Sequence, residues 1–387
     1  MQIKGSKLIY GNLTIASLLS WLPALFYISN IYRMMGYSAY PYAITLVACG
    51  TVGLVALWLG KIARRGVLFT VLFVFFITGV LNYLFIKNLD LNEILLDFLY
   101  VGMMITMIVF PMSYAQAFIS FYVSIAFFLY GYVTGADTHY LLISSGNYIS
   151  ILIILAESLY YLTIQMTEHD FSLIDLIPAL LCFILSVWAK GRGGILSCLV
   201  MLAGVSLYYA LACLRKNINL IYFISLAALV IIGYLLLSKV DLSKIFMSLG
   251  KWSNSGLDNS YRERMWRAYF YKTRENALFL YLGTPLEQVP IIHVLNDNTH
   301  NSFLQLHATN GIVPFVLFAL LFVKSLIWEI KHKKELIAIV LFSIFVRGMT
   351  DKFIFGQYGM PVLLFLILYP YFDEYISKRT AEMSAVN

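Results

Sequence analysis

Apolar runs of about 18–22 residues recur from one end of this chain to the other, the length a helix needs to cross the hydrocarbon of a bilayer. Lipid offers the backbone no hydrogen-bond partner, so spanning segments of this length are expected to be helical. Twelve such runs can be marked, at 8–31, 41–60, 67–86, 94–111, 117–134, 148–166, 173–189, 195–213, 218–237, 302–328, 335–347 and 360–376. The eleventh is the shortest. The composition agrees: 61% of the 387 residues are hydrophobic and 12% are charged, about half the charge of a soluble domain. The expectation is an all-α polytopic membrane bundle of about 12 transmembrane helices with one large periplasmic loop. Its parts are spans one to nine in 1–237, the loop in 238–300, and spans ten to twelve in 301–387.

The basic residues set the orientation. Lys4 and Lys7 precede span one. Lys61, Arg64 and Arg65 follow span two, and Arg215 and Lys216 follow span eight. Lys331, Lys333 and Lys334 follow span ten, and Lys378 and Arg379 follow span twelve. If twelve spans alternate, all these clusters fall on one side, which the positive-inside rule makes cytoplasmic. Both termini are then cytoplasmic. The first run lacks a small-residue cleavage site and reads as a retained span. The net charge of +7 belongs to this topology; the basic residues are scattered between spans, which excludes nucleic-acid binding. Cys49, Cys182, Cys198 and Cys213 all lie in apolar runs without a C-x-x-C pair and read as small buried hydrophobes.

Three polar points fall on the side opposite the basic clusters. The first is AKGRGG, 189–194, where Arg192 stands at a membrane boundary between glycines. Arginine offers a planar fork of donors that suits phosphate, and glycine permits close approach of a ligand. The second is a helical stretch in the long loop, SYRERMWRAYFYKTREN. Ser260 and Glu263 fit a capping box. Arg262 and Trp266 are four apart and share a face, whereas Arg264 points roughly 200° away from Arg262. The third is THNSFLQLHATNG, 299–311, where His300 and Asn301 stand at the mouth of span ten. Histidine titrates near neutrality and suits a general base. His293, His300 and His307 are seven apart, but two helical turns separate each pair by about 10.5 Å, too far for one ion. No metal and no cofactor is expected.

Together the three points make a transferase site: arginines for a diphosphate leaving group, and a histidine for a hydroxyl proton. Arg264, Arg347 and Asp351 form a second rank, the last two on the same side after span eleven. His139 and Asp137, after span five, are candidates for sugar contact. A transporter of a lipid-linked substrate is an alternative from another class. It would more often carry polar residues near mid-bilayer and show two similar halves, and no repeat between halves is found.

The chain resembles the superfamily of bacterial O-antigen polymerases and O-antigen ligases. WAKGRGG matches its small-residue-Arg-Gly pattern at Arg192. RERMW matches its Arg, three residues, then Trp or Tyr, at Arg262 and Trp266. YLGTP is similar to the glycine turn that follows, at Gly283. HNSFLQLHATNG matches its His-Asn, Leu and Gly at His300, Asn301, Leu304 and Gly311. Pro314 stands where a second glycine is frequent, and Ala277 where a proline is. The resemblance covers roughly 173–376 by motif. It implies that an undecaprenyl-diphosphate-linked oligosaccharide is moved to a hydroxyl acceptor in the periplasm without a metal. Arg192 and Arg262 would bind the diphosphate, with Arg264 a further candidate for it outside the matched motif positions; His300 would act on the acceptor, and Asn301 would orient its neighbours. A chain-length regulator and a flippase of the same pathway are the implied partners. The expectation is a polymerase joining repeat units; a ligase acting on lipid A-core differs only in its acceptor.

Overall fold

The computed structural model describes residues 15–60, 62, 64–143, 146–215 and 260–384. Span nine, the loop up to 259, and Lys4, Lys7, Lys61 and Lys216 lie outside them.

The described residues are all-helical. In chain order the helices are α1 (Leu22–Met34), α2 (Tyr40–Trp58), α3 (Arg65–Phe85), α4 (Leu91–Val109), α5 (Tyr114–Val133), the short α6 (Thr138–Leu141), α7 (Asn147–Met166), α8 (Ile177–Trp188) and α9 (Arg192–Arg215). After the undescribed stretch come α10 (Ser260–Glu275), α11 (Ala277–Leu282), α12 (Pro290–His293), α13 (Ser302–Asn310), α14 (Ile312–Lys331), α15 (Glu335–Gly348) and α16 (Met360–Ser384). Among the described residues eight helical segments are long and apolar enough to cross a membrane: Ile15–Met34, α2 to α5, α7, α9 up to Cys213, and α14. The expected seventh and eleventh spans are shorter: α8 follows one 3-10 turn at Leu173–Leu176, and α15 has 14 residues. α16 runs on to Ser384 through Pro370.

The expected tenth span, 302–328, is not one helix. Hydropathy runs on through it, but Gly311 adopts φ +78° and divides α13 from α14. A Cβ at Gly311 would sit 2.0 Å from the Tyr281 carbonyl oxygen, so both conformation and space call for glycine. Pro314 falls in the first turn of α14, where a missing N–H costs no helical bond.

α7 is the axis of the bundle. Of its spanning window 94% is buried, and it packs against α1, α5, α8, α9, α15 and α16. α3, α9 and α14 are buried over only 28% of theirs and leave most of their surface for lipid. Small residues set the closest crossing, of α2 with α4. There a Cβ at Gly53 would lie 1.8 Å from the Gly102 oxygen, the kind of backbone approach that drives association where no hydrophobic effect operates.

The described part of the loop folds over one end of the bundle around a small core of Met265, Tyr269, Leu286, Val289, Ile292 and Ala308. Met265, Tyr269 and Thr273 recur every four residues and form the buried face of α10. Two asparagines tie the loop down. Asn82 at the end of α3 donates to the Leu282 and Ala308 carbonyls, both at 2.9 Å. Asn88 donates to Thr284 and Ala308 and accepts from the Leu286 N–H.

Candidate functional site

The chain turns from α8 into α9 through Lys190, held at φ +59°, and α9 opens on Arg192-Gly193-Gly194. The glycines serve packing first. A Cβ at Gly193 would come within 2.1 Å of Thr350 Oγ1, and one at Gly194 within 2.2 Å of Ser150 Oγ. The start of α9 is therefore wedged between α7 and the turn after α15. Its first-turn N–H groups have no helical acceptor and carry the positive end of the dipole.

Arg347, in the last turn of α15, reaches the same place. It is 2% exposed and donates from Nη1 to Thr350 Oγ1 at 2.9 Å. Its Nη2 donates to Asp351 Oδ2 at 3.2 Å and to the Asn147 carbonyl at 3.4 Å. Arg262 enters from the first turn of α10. Burial lowers its pKa, Asp351 raises it, and Arg347 and Arg192 lower it again, as expected where three guanidinium groups face one space.

His300 completes the ring. It sits at φ +48°, and its N–H donates to Asn298 Oδ1 at 2.8 Å. Trp266 Nε1 donates to the preceding carbonyl, of Thr299, at 3.3 Å, so the tryptophan fixes the backbone beside the histidine. Asn301 does the same from the other side. Its Oδ1 caps α13 by accepting from the Phe303 and Leu304 N–H groups at 2.9 and 3.1 Å. Ser302 Oγ donates to the Asp351 carbonyl at 2.6 Å and accepts from the Phe353 N–H at 3.1 Å, lashing this turn to the one carrying Asp351. His300 Nδ1 ends 3.8 Å from Asp351 Oδ1, beyond hydrogen-bond reach but close enough to stabilise an imidazolium. Burial lowers the His300 pKa, Asp351 raises it, and Arg262 lowers it.

The result is a cavity of ≈ 480 Å³ lined by Asn147, Lys190, Gly191, Arg192, Gly193, Gly194, Arg262, Leu295, His300, Arg347, Thr350 and Asp351. Its wall carries four basic side chains and one acidic one. Such an excess in a partly desolvated space selects for an anion of more than one charge. It lies at the end of the bundle where α7 begins. The loop with Lys331, Lys333 and Lys334 packs at the far end of that helix, where the Leu336 N–H donates to Gln165 Oε1, about 27 Å away along the axis.

Arg192, Arg262, His300, Arg347 and Asp351 are thus brought together from segments up to 159 residues apart in sequence. Trp266 and Asn301 position the neighbours of His300 and do not line the cavity. Arg264 is exposed on another face of α10 and lies outside the wall. His139 is exposed in α6, where Asp137 caps the turn by accepting the His139 N–H at 3.0 Å; neither lines the cavity. Of the other two histidines in the motif region, His293 pairs with Asp297 at 3.1 Å. His307 bonds Tyr269 at 2.5 Å and the Leu280 carbonyl at 3.0 Å.

Lys190, Asn147 and Thr350 join the site without having been singled out in the sequence. Lys190 stands inside the KGRGG motif and was visible there; Asn147 and Thr350 carry no local signal. Glu157 is a further unexpected feature. It is fully buried in the middle of α7, and neither carboxyl oxygen has a hydrogen-bond partner among the described residues. Searches against known protein families and against curated proteins returned no match to this chain.

Proposed function

We propose that this protein is an integral-membrane glycosyltransferase that joins repeat units of a bacterial surface polysaccharide, using a glycan carried on a polyprenyl diphosphate. One observation carries the reading: Lys190, Arg192, Arg262 and Arg347 converge with His300 and Asp351 on one cavity at one end of a membrane bundle. The resemblance of Arg192, Arg262 and His300 to motif positions of O-antigen polymerases and ligases supports the substrate class and a reaction at the periplasmic face.

In this mechanism the diphosphate lies among the cationic side chains and the free N–H groups of the first turn of α9. The acceptor hydroxyl oxygen attacks the anomeric carbon, forming the new glycosidic bond. The bond from that carbon to the diphosphate oxygen breaks, and its electron pair leaves on the diphosphate. The hydroxyl proton passes to His300, and the Asp351 carboxylate stabilises the imidazolium. Positive charge already in place around the departing oxygens lowers the barrier without reorganisation. The step needs no nucleotide, because the energy is stored in the glycosyl diphosphate.

Deleting the gene and resolving the surface lipopolysaccharide by electrophoresis tests the reading. Core bearing a single repeat is expected. Bare core with polymer left on the carrier would reassign the protein as a ligase. Bare core without carrier-linked polymer would move it to transport of the unit, and an unchanged ladder would exclude O-antigen altogether. Complementation with His300→Ala or Arg262→Ala is expected to yield at least about 100-fold less polymer; full restoration by both would remove the mechanism.

A further inference from the structure

A second cavity lies beside the first. It holds ≈ 190 Å³, and its wall includes Glu93, Asp97, Gln305, Lys352, Phe355 and Gln357. Consecutive residues line the two spaces at two places. Asp351 lines the basic cavity and Lys352 the second; Leu295 lines the basic cavity and Asn296 the second.

One side chain here is buried with an unpartnered oxygen. Asp97, in the second turn of α4, is 6% exposed, and its Oδ1 has no hydrogen-bond partner among the described residues. Burial lowers the pKa of Lys352, while the Glu93 and Asp297 carboxylates pull it upward, so opposite charges face each other across the space. Gln305 Oε1 accepts from Thr299 Oγ1 at 3.3 Å, which leaves its Nε2 as the group to donate.

The charge balance differs from that of the first cavity. Four acidic side chains (Glu93, Asp97, Glu287, Asp297) stand against two lysines (Lys87, Lys352), so the wall lacks the cationic excess that would hold a phosphate. Among the described residues no group of three or more His, Cys, Asp or Glu side chains is placed to hold a metal ion. A ligand with many hydroxyls fits instead. Each hydroxyl both donates and accepts, so carboxylates take its protons while the ammonium and carboxamide groups donate to its oxygens. The volume equals about six waters at liquid density, close to that of one hexose ring.

We propose that this cavity binds a neutral sugar ring and serves as the acceptor subsite next to the diphosphate cavity, the acceptor role resting on the transferase reading above. Binding to the full chain in lipid nanodiscs tests it with two separate probes. One is undecaprenyl diphosphate. The other is the oligosaccharide repeat released from the host's own surface polysaccharide by mild acid. Asp97→Asn is isosteric, and Gln357→Ala alters a half-buried loop position that leaves the helices intact. Each is expected to weaken oligosaccharide binding by about tenfold or more and to leave undecaprenyl diphosphate binding unchanged. Arg192→Ala is expected to do the reverse. Oligosaccharide that fails to bind the wild type at ~10 mM, a millimolar affinity being the weakest a specific site would show, or that binds both variants as it binds the wild type, overturns the subsite and leaves the anion site standing. Failure of the wild type to bind undecaprenyl diphosphate would overturn the transferase reading, and the acceptor role with it.

Discussion

Asp351 serves two cations in different ways, and the difference is measurable. Its Oδ2 holds Arg347 at 3.2 Å, while its Oδ1 lies 3.8 Å from His300 Nδ1. Burial dominates the His300 environment and lowers its pKa below the ordinary 6.5, so the imidazole is neutral at neutral pH and free to take a proton. As a base it must be unprotonated, so the rate of polymer formation in reconstituted vesicles is expected to rise along an acid limb centred below pH 6.5. Asp351 raises the histidine pKa, so Asp351→Asn is expected to move that limb to still lower pH. A limb above pH 6.5, or one unmoved by Asp351→Asn, would take the proton-acceptor role away from His300. Arg347 and Arg262 separate by another measure. Arg347 is 2% exposed and bonded to three neighbours. Arg347→Ala strands the buried carboxylate and is expected to cost about 3 kcal/mol or more of stability as well as activity. Arg262 is half-buried beside other cations. Arg262→Ala is expected to abolish polymer while shifting stability by no more than about 1 kcal/mol. Thermal unfolding in detergent, run beside the electrophoretic assay, distinguishes the two.

At the scale of elements, the start of α9 depends on two missing side chains. With Ser150 Oγ 2.2 Å from a Cβ at Gly194 and Thr350 Oγ1 2.1 Å from one at Gly193, Gly193→Ala and Gly194→Ala are each expected to destabilise by about 1–3 kcal/mol. Both would displace Arg192 and so reduce activity. Ser150→Gly combined with Gly194→Ala makes room and is expected to recover much of the lost melting temperature; no recovery would mean that the glycine acts through something other than this contact. The same glycines mark how far the sequence could be read. KGRGG announced a turn, an arginine and a close approach, but read locally the approach was to a ligand, whereas the structure spends two glycines on helix packing. Arg192, Arg262 and His300 were legible because each stands in a short polar motif against an apolar background. Arg347 and Asp351 were visible only as a second rank, since their importance comes from Thr350, Asn147 and Ser302, which are distant in sequence or chemically plain. The helical periodicity that set Arg262 apart from Arg264 also holds in the structure. Hydropathy located the helices among the described residues closely, but failed at 302–328. There the apolar pattern continues across Gly311 and the break is one of backbone conformation, which composition does not encode.

At the scale of the whole molecule, the position of charge bears on the choice between an enzyme at the membrane face and a transporter. The basic cavity and its polar neighbour lie together at one end of the bundle, and the axis of packing is α7, buried over 94% of its spanning window. Glu157 departs from this pattern. It lies ten residues into α7, about 15 Å from Asn147 and so about half-way through the hydrocarbon. Both oxygens lack hydrogen bonds among the described residues, the nearby Cys182 thiol being directed to the Ile153 carbonyl at 3.8 Å. Intramembrane acids of this kind mark substrate or proton paths in transporters. A face-located transferase makes no use of one at that depth, and a carboxyl with no partner is better replaced by a carboxamide. Glu157→Gln is therefore expected to leave the polymer ladder within about twofold of wild type and the melting temperature unchanged or higher. In a transporter the same change would stop delivery of the unit: bare core would result, and carrier-linked repeats would collect on the cytoplasmic side, protected from an added glycosidase in right-side-out vesicles. Because Glu157 is remote from both cavities, this variant bears on the class of the protein without touching the residues proposed to do its chemistry.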